Sequence, residues 1–356
     1  MPGTSGLELK GFAFAKVGTN SWGVAASVTK GARFLSDGGV KYAPVFVEDR
    51  SFGETELGPA EYGDLNPTNA TLQGQARYED HNHVLRALAM GSPATVAIAT
   101  SVAGQVTSWR HVIDIAPSID GFAATFAFDK KLFTEEVTTA KVTGFGETVG
   151  EGGIINETFT LLGVAPTDIS SININSTIYG ASFPALNGKV FRNQGVVRMN
   201  LQTGGALGST DTLVFTGAIE FTFNRPLDSV FCYGGRDIIE PSGTDFPAIS
   251  ARLMLERANT VTVNSIRTAL RVGTAWKADV TYSGAFINST DRYSRLYQFP
   301  YVEVQDHDTA AAGPGQIKPV ALLMLKKPAS APTGMTGVTH SFRVTEVKIN
   351  SVHAFA

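Results

Sequence analysis

Two histidines, His81 and His83, follow two carboxylates, Glu79 and Asp80. Imidazole and carboxylate are ligand types for divalent transition metals, which makes this stretch the chain's best metal candidate. The spacing argues against it. Ligands two apart share a face on a strand but oppose one another on a helix, and NHVLRALAMG reads as a helix. Acidic residues at a helix start favour the positive end of its dipole. The expectation is a solvated N-terminal turn without metal. Asp306-His307-Asp308 lies in a Gly/Ala-rich excursion and reads as a polar turn.

Other chemistry is thinner. Gly144, Gly146 and Gly150 miss the G-x-G-x-x-G spacing and precede a strand-like run, so a bulged hairpin is expected instead of a phosphate cradle. Cys232, the sole cysteine, sits in SVFCYGG, an apolar strand ending in a turn, where packing is the expected role. It excludes an internal disulfide framework. Nucleophile elbows, zincin motifs and basic stripes with interleaved aromatics are absent from the sequence. The expectation is a protein that is not an enzyme, without cofactor or metal. The sequons at Asn69, Asn156, Asn175 and Asn288 are read as compositional accidents, because the N-terminus has no basic-then-apolar signal pattern.

The elements that must position these residues read as strands. Charged residues make up 17% of the 356, while 37 glycines and 22 phenylalanines suit a sheet- and turn-rich chain. A net charge of −3 gives no global attraction to nucleic acid or anionic membrane. Apolar runs such as Val320–Leu325 are strand length, too short for a membrane span. In FAATFAFD, alternation puts Phe122, Ala124, Phe126 and Phe128 on one face of a half-buried strand.

One plan occurs twice. ATLQGQARYEDHNHVLRALAMGSP (70–93) and PAISARLMLERANTVTVNSIRTALRVGTA (247–275) each read as a strand, a short amphipathic helix and a glycine stop. Leu85, Leu88 and Ala89 share one face of the first helix, as do Ile266, Ala269 and Leu270 in the second, and Gly91 and Gly273 are the stops. The segments 142–163 and 302–325 also match, each a strand, a glycine-bearing excursion and an apolar return. A repeat this long implies two like domains. The expected division is an arm at 1–31, a first domain at 32–175 and a second at 176–356. Each half carries a long loop expected to project and stack on a neighbour. In the first it includes Glu48, Asp49, Arg50, Phe52, Glu54, Glu56, Glu61 and Asp64, and in the second Arg225, Asp228, Arg236 and Asp237.

GTNSWGVAASVTKGARFLSDGGVKYAPVFVEDRSFGE followed by LQGQARYEDHNHVLRALAMGSP resembles the opening of phage tail tube proteins of long, non-contractile tails. FAATFAFDKKLFTEEVTTAKVTGFGETVGEGGIINETFTLLG is similar to their middle segment. The resemblance implies a mainly β fold of β-sandwich or rolled-sheet domains, each flanked by a short helix. It implies a virion protein, assembled in the host cytoplasm, that stacks as rings around a channel for the phage genome. Partners would be further copies and other tail proteins, with double-stranded DNA passing without specific binding. Combined with the repeat, it suggests trimeric rings of pseudo-sixfold symmetry. A two-domain β-sandwich adhesin, a carbohydrate-binding protein or another virion component is the alternative.

Overall fold

The computed structural model describes residues 11–17, 21–36, 40, 44–47, 61–92, 95–116, 121–130, 133–168, 170–184, 188–213, 216–255, 265, 268, 269, 271–308 and 320–351. The chain is mainly β, as expected. It opens with β1 (Gly11–Lys16) and β2 (Lys30–Ala32), then β3 (Pro44–Val47) and β4 (Glu61–Leu65), which pair in a small separate sheet, and β5 (Thr68–Gln75). Helix α1 (Asn82–Met90) leads to β6 (Thr95–Thr100) and β7 (Ser108–Asp114), then β8 (Ala123–Asp129), β9 (Thr134–Val149) and β10 (Ile155–Gly163). A short helix, α2 (Asn175–Gly180), precedes β11 (Gly195–Leu201), β12 (Thr216–Asn224) and β13 (Ala248–Leu255). A helical stretch containing Thr268, Ala269, Arg271 and Val272 follows. The chain then forms β14 (Trp276–Phe286), β15 (Arg292–Asp308), β16 (Val320–Leu325) and β17 (Arg343–Lys348).

Among the described residues, all strands but β3 and β4 belong to one 15-stranded antiparallel sheet. Within it the order β1–β8–β9–β10–β5 recurs as β11–β14–β15–β16–β13. The register recurs too. Between β8 and β9 the pairing slips from Ala124↔Ala140 to Phe126↔Val137, and between β14 and β15 from Trp276↔Val302 to Ala278↔Phe299. Against β10, β9 carries an extra residue at Thr143, and against β16, β15 carries one at Gln305, each after three regular pairs. Such bulges kink and twist a strand, letting a long strand bend across a rolled sheet. The helices end alike. Gly91 (φ 69°) and Gly273 (φ 70°) are left-handed, and Ser92 N–H donates to Ala87 O at 3.2 Å as Thr274 N–H does to Ala269 O at 3.1 Å.

Several elements lie outside this recurring plan and join its two occurrences. The β6–β7 hairpin follows α1, β17 follows β16, and β17 pairs with β7 from Lys348↔Trp109 to Arg343↔Asp114. Strand β12 lies between β9 and β13. One apolar core therefore runs through both stretches, from Phe12, Phe126 and Phe128 to Phe145, Phe221, Phe223, Tyr297, Phe299 and Phe342. The stacked pairs Phe145–Phe223, at 5.2 Å between centroids, and Phe299–Phe342, at 5.4 Å, lie along it.

Three expectations are corrected here. Residues 11–16, placed in an arm, form β1 and bury Phe12 and Phe14 against β8. The 175/176 division falls at the start of α2. β8 is covered on both faces, because Ala13, Val28, Ala127, Ile178 and Ala181 make a second small cluster behind it. Local alternation cannot reveal a cover supplied by α2.

Candidate functional site

Among the described residues, buried charges converge beneath α1, on β9, β10, β15 and β17. The link from β5 to α1 turns inward and buries Glu79, Asp80, His81, Asn82 and His83. The expected solvated turn is thus a sealed one. Its cover is β17 and β7, from distant parts of the chain, with Glu346 and Lys348 on the inward face of β17. α1 has no acidic residue in its first turn. The Asp80 carboxylate instead meets Lys348 at 3.1 Å and Arg295 at 3.3 Å.

Two arginines organise the centre. Arg86 donates to Glu157 and Glu346. Arg295 donates to Glu157, to Glu147 at 3.1 Å and to the Arg77 carbonyl at 2.9 Å, and lies 3.2 Å from Glu346. Asn82 donates to Glu157, and the Tyr297 hydroxyl to Glu147. Four carboxylates (Asp80, Glu147, Glu157, Glu346) face three cations (Arg86, Arg295, Lys348), all buried. The titration follows the geometry. Burial raises the Glu147 carboxyl to about 7, reinforced by Glu157 and opposed by Arg295. Burial pushes Glu157 and Glu346 up as well, but the cations around each reverse this and hold both below the ordinary range. Burial lowers His81 to about 4, so its ring is neutral at pH 7. Burial also raises the Asp80 carboxyl, opposed by Lys348 and Arg295, so burial moves both Asp80 and Glu147 toward their neutral forms, which lessens the charge left uncompensated inside.

Asp80, His83 and Glu346 each offer one ligand atom, all within 4.8 Å of one another. The Lys348 ammonium already lies within reach of all three, 2.6 Å from Glu346 Oε2, 3.1 Å from Asp80 Oδ1 and 3.4 Å from His83 Nδ1. Lysine supplies there the positive charge a metal would. The His111 ring lies 4.5 Å from that of His83, tilted by 54°, and bonds the Asn350 carbonyl at 2.6 Å. Beside the cluster, a cleft lined by Arg33, Arg77, Glu79 and His81 has room for little more than a water molecule. The arrangement ties α1, β9, β10, β15 and β17 together through buried ion pairs.

The remaining expected residues are dispersed. Leu85 and Leu88 are buried in the core, while the side chains of Ile266 and Leu270 lie outside the described residues, as do Glu48, Asp49, Arg50, Phe52, Glu54 and Glu56. Glu61 and Asp64 belong to β4, a strand where a loop was expected. Asp306–Asp308 likewise end β15 instead of forming a turn. Arg225 does not project. It is buried, its N–H bonds Thr143 O at 2.6 Å, and its guanidinium lies beneath Gly91 at the C-terminal end of α1, where the helix dipole favours a cation. Cys232 is exposed, in a turn held by Gly235 N–H to Cys232 O, so its expected packing role is overturned. The GFGETVGEGG glycines lie in the β9–β10 hairpin, as read. Sequence reading missed Arg86, Glu147, Glu157, Arg295, Glu346 and Lys348. The available signal was a charge on the core-facing register of an otherwise apolar strand, as in RVTEVK, where Val344, Glu346 and Lys348 all point inward.

No family model matches this chain, and no curated protein does. Among solved structures, a chain described as "Virion of native gene transfer agent (GTA) particle" is similar with a TM-score of 0.24 and 17% identity, over 39% of this chain and 93% of that one.

Proposed function

We propose that this chain is a structural virion subunit that self-assembles into stacked rings forming a hollow phage tail tube, the role its sequence resemblance implies. The observation that carries this reading is the contrast between a sealed interior and an adhesive exterior. The ionic groups beneath α1 are buried, while the stretch between β12 and β13 turns apolar side chains outward. Tyr233 is fully exposed and Phe246 80% exposed, and Val230, Phe231 and Ile239 are exposed nearby. A monomeric surface rarely keeps such a group unless it meets another macromolecule.

The projection is also preformed. Bridges at Leu227↔Gly243 and Phe231↔Ile238 close it on itself. Leu65 N–H donates to Arg236 O at 2.9 Å and Trp22 Nε1–H to Ile238 O at 3.1 Å. Ala165 N–H donates to Asp237 Oδ1 at 3.1 Å and Lys141 Nζ to Pro241 O at 2.6 Å. A contact braced in advance has less entropy to lose on docking. Asp228, Asp237, Glu240 and Asp245 outnumber Arg236 around it, which favours a protein neighbour over an anionic membrane. The recurring strand order supports two like units per chain, so three chains would supply six units per ring. Trp22 and Trp276 pack against the core and add nothing to this exposed surface.

Negative-stain microscopy tests the reading. Wild-type protein is expected to give rings and stacked tubes, and Tyr233→Asp with Phe246→Asp a folded subunit that does not stack. Normal tubes from the variant would remove this projection from the interface. Wild-type protein that stays monomeric at high concentration would overturn the tube reading.

A further inference from the structure

The projection between β12 and β13 and a second, basic surface lie at opposite ends of the same strands. The projection is braced on Lys141, toward the start of β9, and on Ala165, just past the end of β10. At the other end β9 and β10 meet in their hairpin, where Val149 pairs with Ile155. Ala76 N–H donates to Ile155 O at 2.8 Å there, and Arg77 bridges to Lys189 beside it. The stretch of β9 from Lys141 to Val149 sets the two surfaces about 25 Å apart, at roughly 3.3 Å per residue.

Several elements build the basic end. Arg33, just after β2, lines the small cleft with Gln75 and Arg77. Lys189 and Arg192 precede β11, and Arg292 opens β15. The Tyr78 hydroxyl donates to Gln194 Oε1 at 2.9 Å, and its ring lies 5.9 Å from that of Tyr293, which holds the β14–β15 hairpin alongside. Among the described residues, the carboxylates that reach the surface at this end are Glu151 and Asp291, and Asp291 accepts from Ser108. Leu35, 73% exposed, and Phe286, 58% exposed, add apolar area, with the Arg292 guanidinium 3.8 Å over the Phe286 ring. The projection has the opposite balance. Asp228, Asp237, Glu240 and Asp245 are all exposed on it, against Arg236. Two projections set face to face would bring acid against acid, which disfavours a two-fold pair.

We infer that the projection between β12 and β13 docks on the basic end of a second copy of this chain, around Arg33, Arg77 and Lys189. The inference rests on the assembly reading for its choice of partner and names the surface that receives the projection. Donor and acceptor are different surfaces, so the contact is heterologous. Because they lie at opposite ends of the strands, a copy that receives one projection offers its own at the far end. The contact therefore repeats along the strand direction without closing, as a stack requires. Burial and the neighbouring charge of Arg77 both lower Arg33 below its ordinary range, and a carboxylate arriving from the next copy relieves that repulsion. Exposed charges of this kind are screened beyond about 8 Å at physiological salt, so the contact weakens as salt rises.

Charge reversal tests this. Wild-type protein is expected to form stacks whose mean length in negative-stain images falls several-fold from low to high salt. Asp228→Lys with Asp245→Lys, and separately Arg33→Glu with Lys189→Glu, should each keep the wild-type circular dichroism and give no stacks. An equimolar mixture of these two variants should stack again, because each then offers the other an opposite charge. Normal stacks from either variant alone, a mixture that stays unstacked, or stack length indifferent to salt would overturn the inference while leaving assembly intact. So would an Arg33→Glu, Lys189→Glu chain that keeps its stacks but loses binding to a double-stranded DNA duplex, which would assign the basic end to nucleic acid. Wild-type protein that stays monomeric at high concentration would overturn both.

Discussion

Glu147 stands between Arg295 and Glu157 with no solvent in reach, and its carboxyl titrates near 7. The sign of its linkage follows. A carboxyl whose folded pKa lies above its ordinary 4.5 contributes stability below that value and loses it as pH rises through about 7. Glu157 and Glu346 behave oppositely, contributing above the ordinary value and losing stability as pH falls through their depressed folded pKa values. Together these three groups are most stabilising near the ordinary carboxylate value, since the contribution of Glu147 declines from there up to about 7. Glu147→Gln keeps an acceptor for Tyr297 and removes the alkaline loss. Denaturant melts should show it matching wild type near pH 5 and exceeding it by about 1–3 kcal/mol at pH 8. A constant difference across that range would show that Glu147 does not titrate. Arg86→Met should cost about 3–5 kcal/mol, because Glu157 and Glu346 lose a buried partner. Arg86→Met with Glu157→Met should cost less than the single change. Equal or greater loss from the pair would mean that packing, not charge pairing, is what Arg86 provides.

At the scale of elements, the two helix stops can be compared directly. Both glycines are left-handed, but a Cβ at Gly91 would meet the Arg225 guanidinium at 2.9 Å, while at Gly273 it meets nothing within 4 Å. Gly273→Ala should cost about 1 kcal/mol from backbone strain alone, and Gly91→Ala visibly more, as Arg225 is displaced from the end of α1. Equal midpoints in thermal melts would show that Arg225 moves freely. These stops were legible in the sequence because a helix end is a local event, and so were the β9–β10 hairpin and the apolar face of Leu85 and Leu88. The ionic cluster was not legible. Its members come from the β5–α1 link, α1, β9, β10, β15 and β17, and no local period announces that a turn such as Glu79–His83 will be roofed by a strand more than 250 residues later. For the same reason Arg225 read as a loop residue, although its loop begins only after it has been buried.

Across the whole molecule, the recurrence of strand order and the continuity of the core pull in different directions. Two like units in tandem would be expected to fold separately if each closed its own core. Here β12 sits between β9 and β13, and β17 between β15 and β7, so each unit completes the other's sheet. Phe145 of β9 stacks on Phe223 of β12, and Arg86 of α1 bonds Glu346 of β17. Separating the stretches would bare that aromatic face and leave buried charges unpaired, a cost comparable to the 5–15 kcal/mol that typically holds a domain together. Urea unfolding should therefore be a single transition, with tryptophan fluorescence and far-ultraviolet dichroism coincident, because Trp109 and Trp276 lie in different stretches. Chains cut into 1–186 and 187–356 should each be unfolded alone and regain sheet only when co-expressed. Two resolved transitions, or a separately folded 187–356, would show that the repeated units are independent domains and that the shared strands are a docked interface.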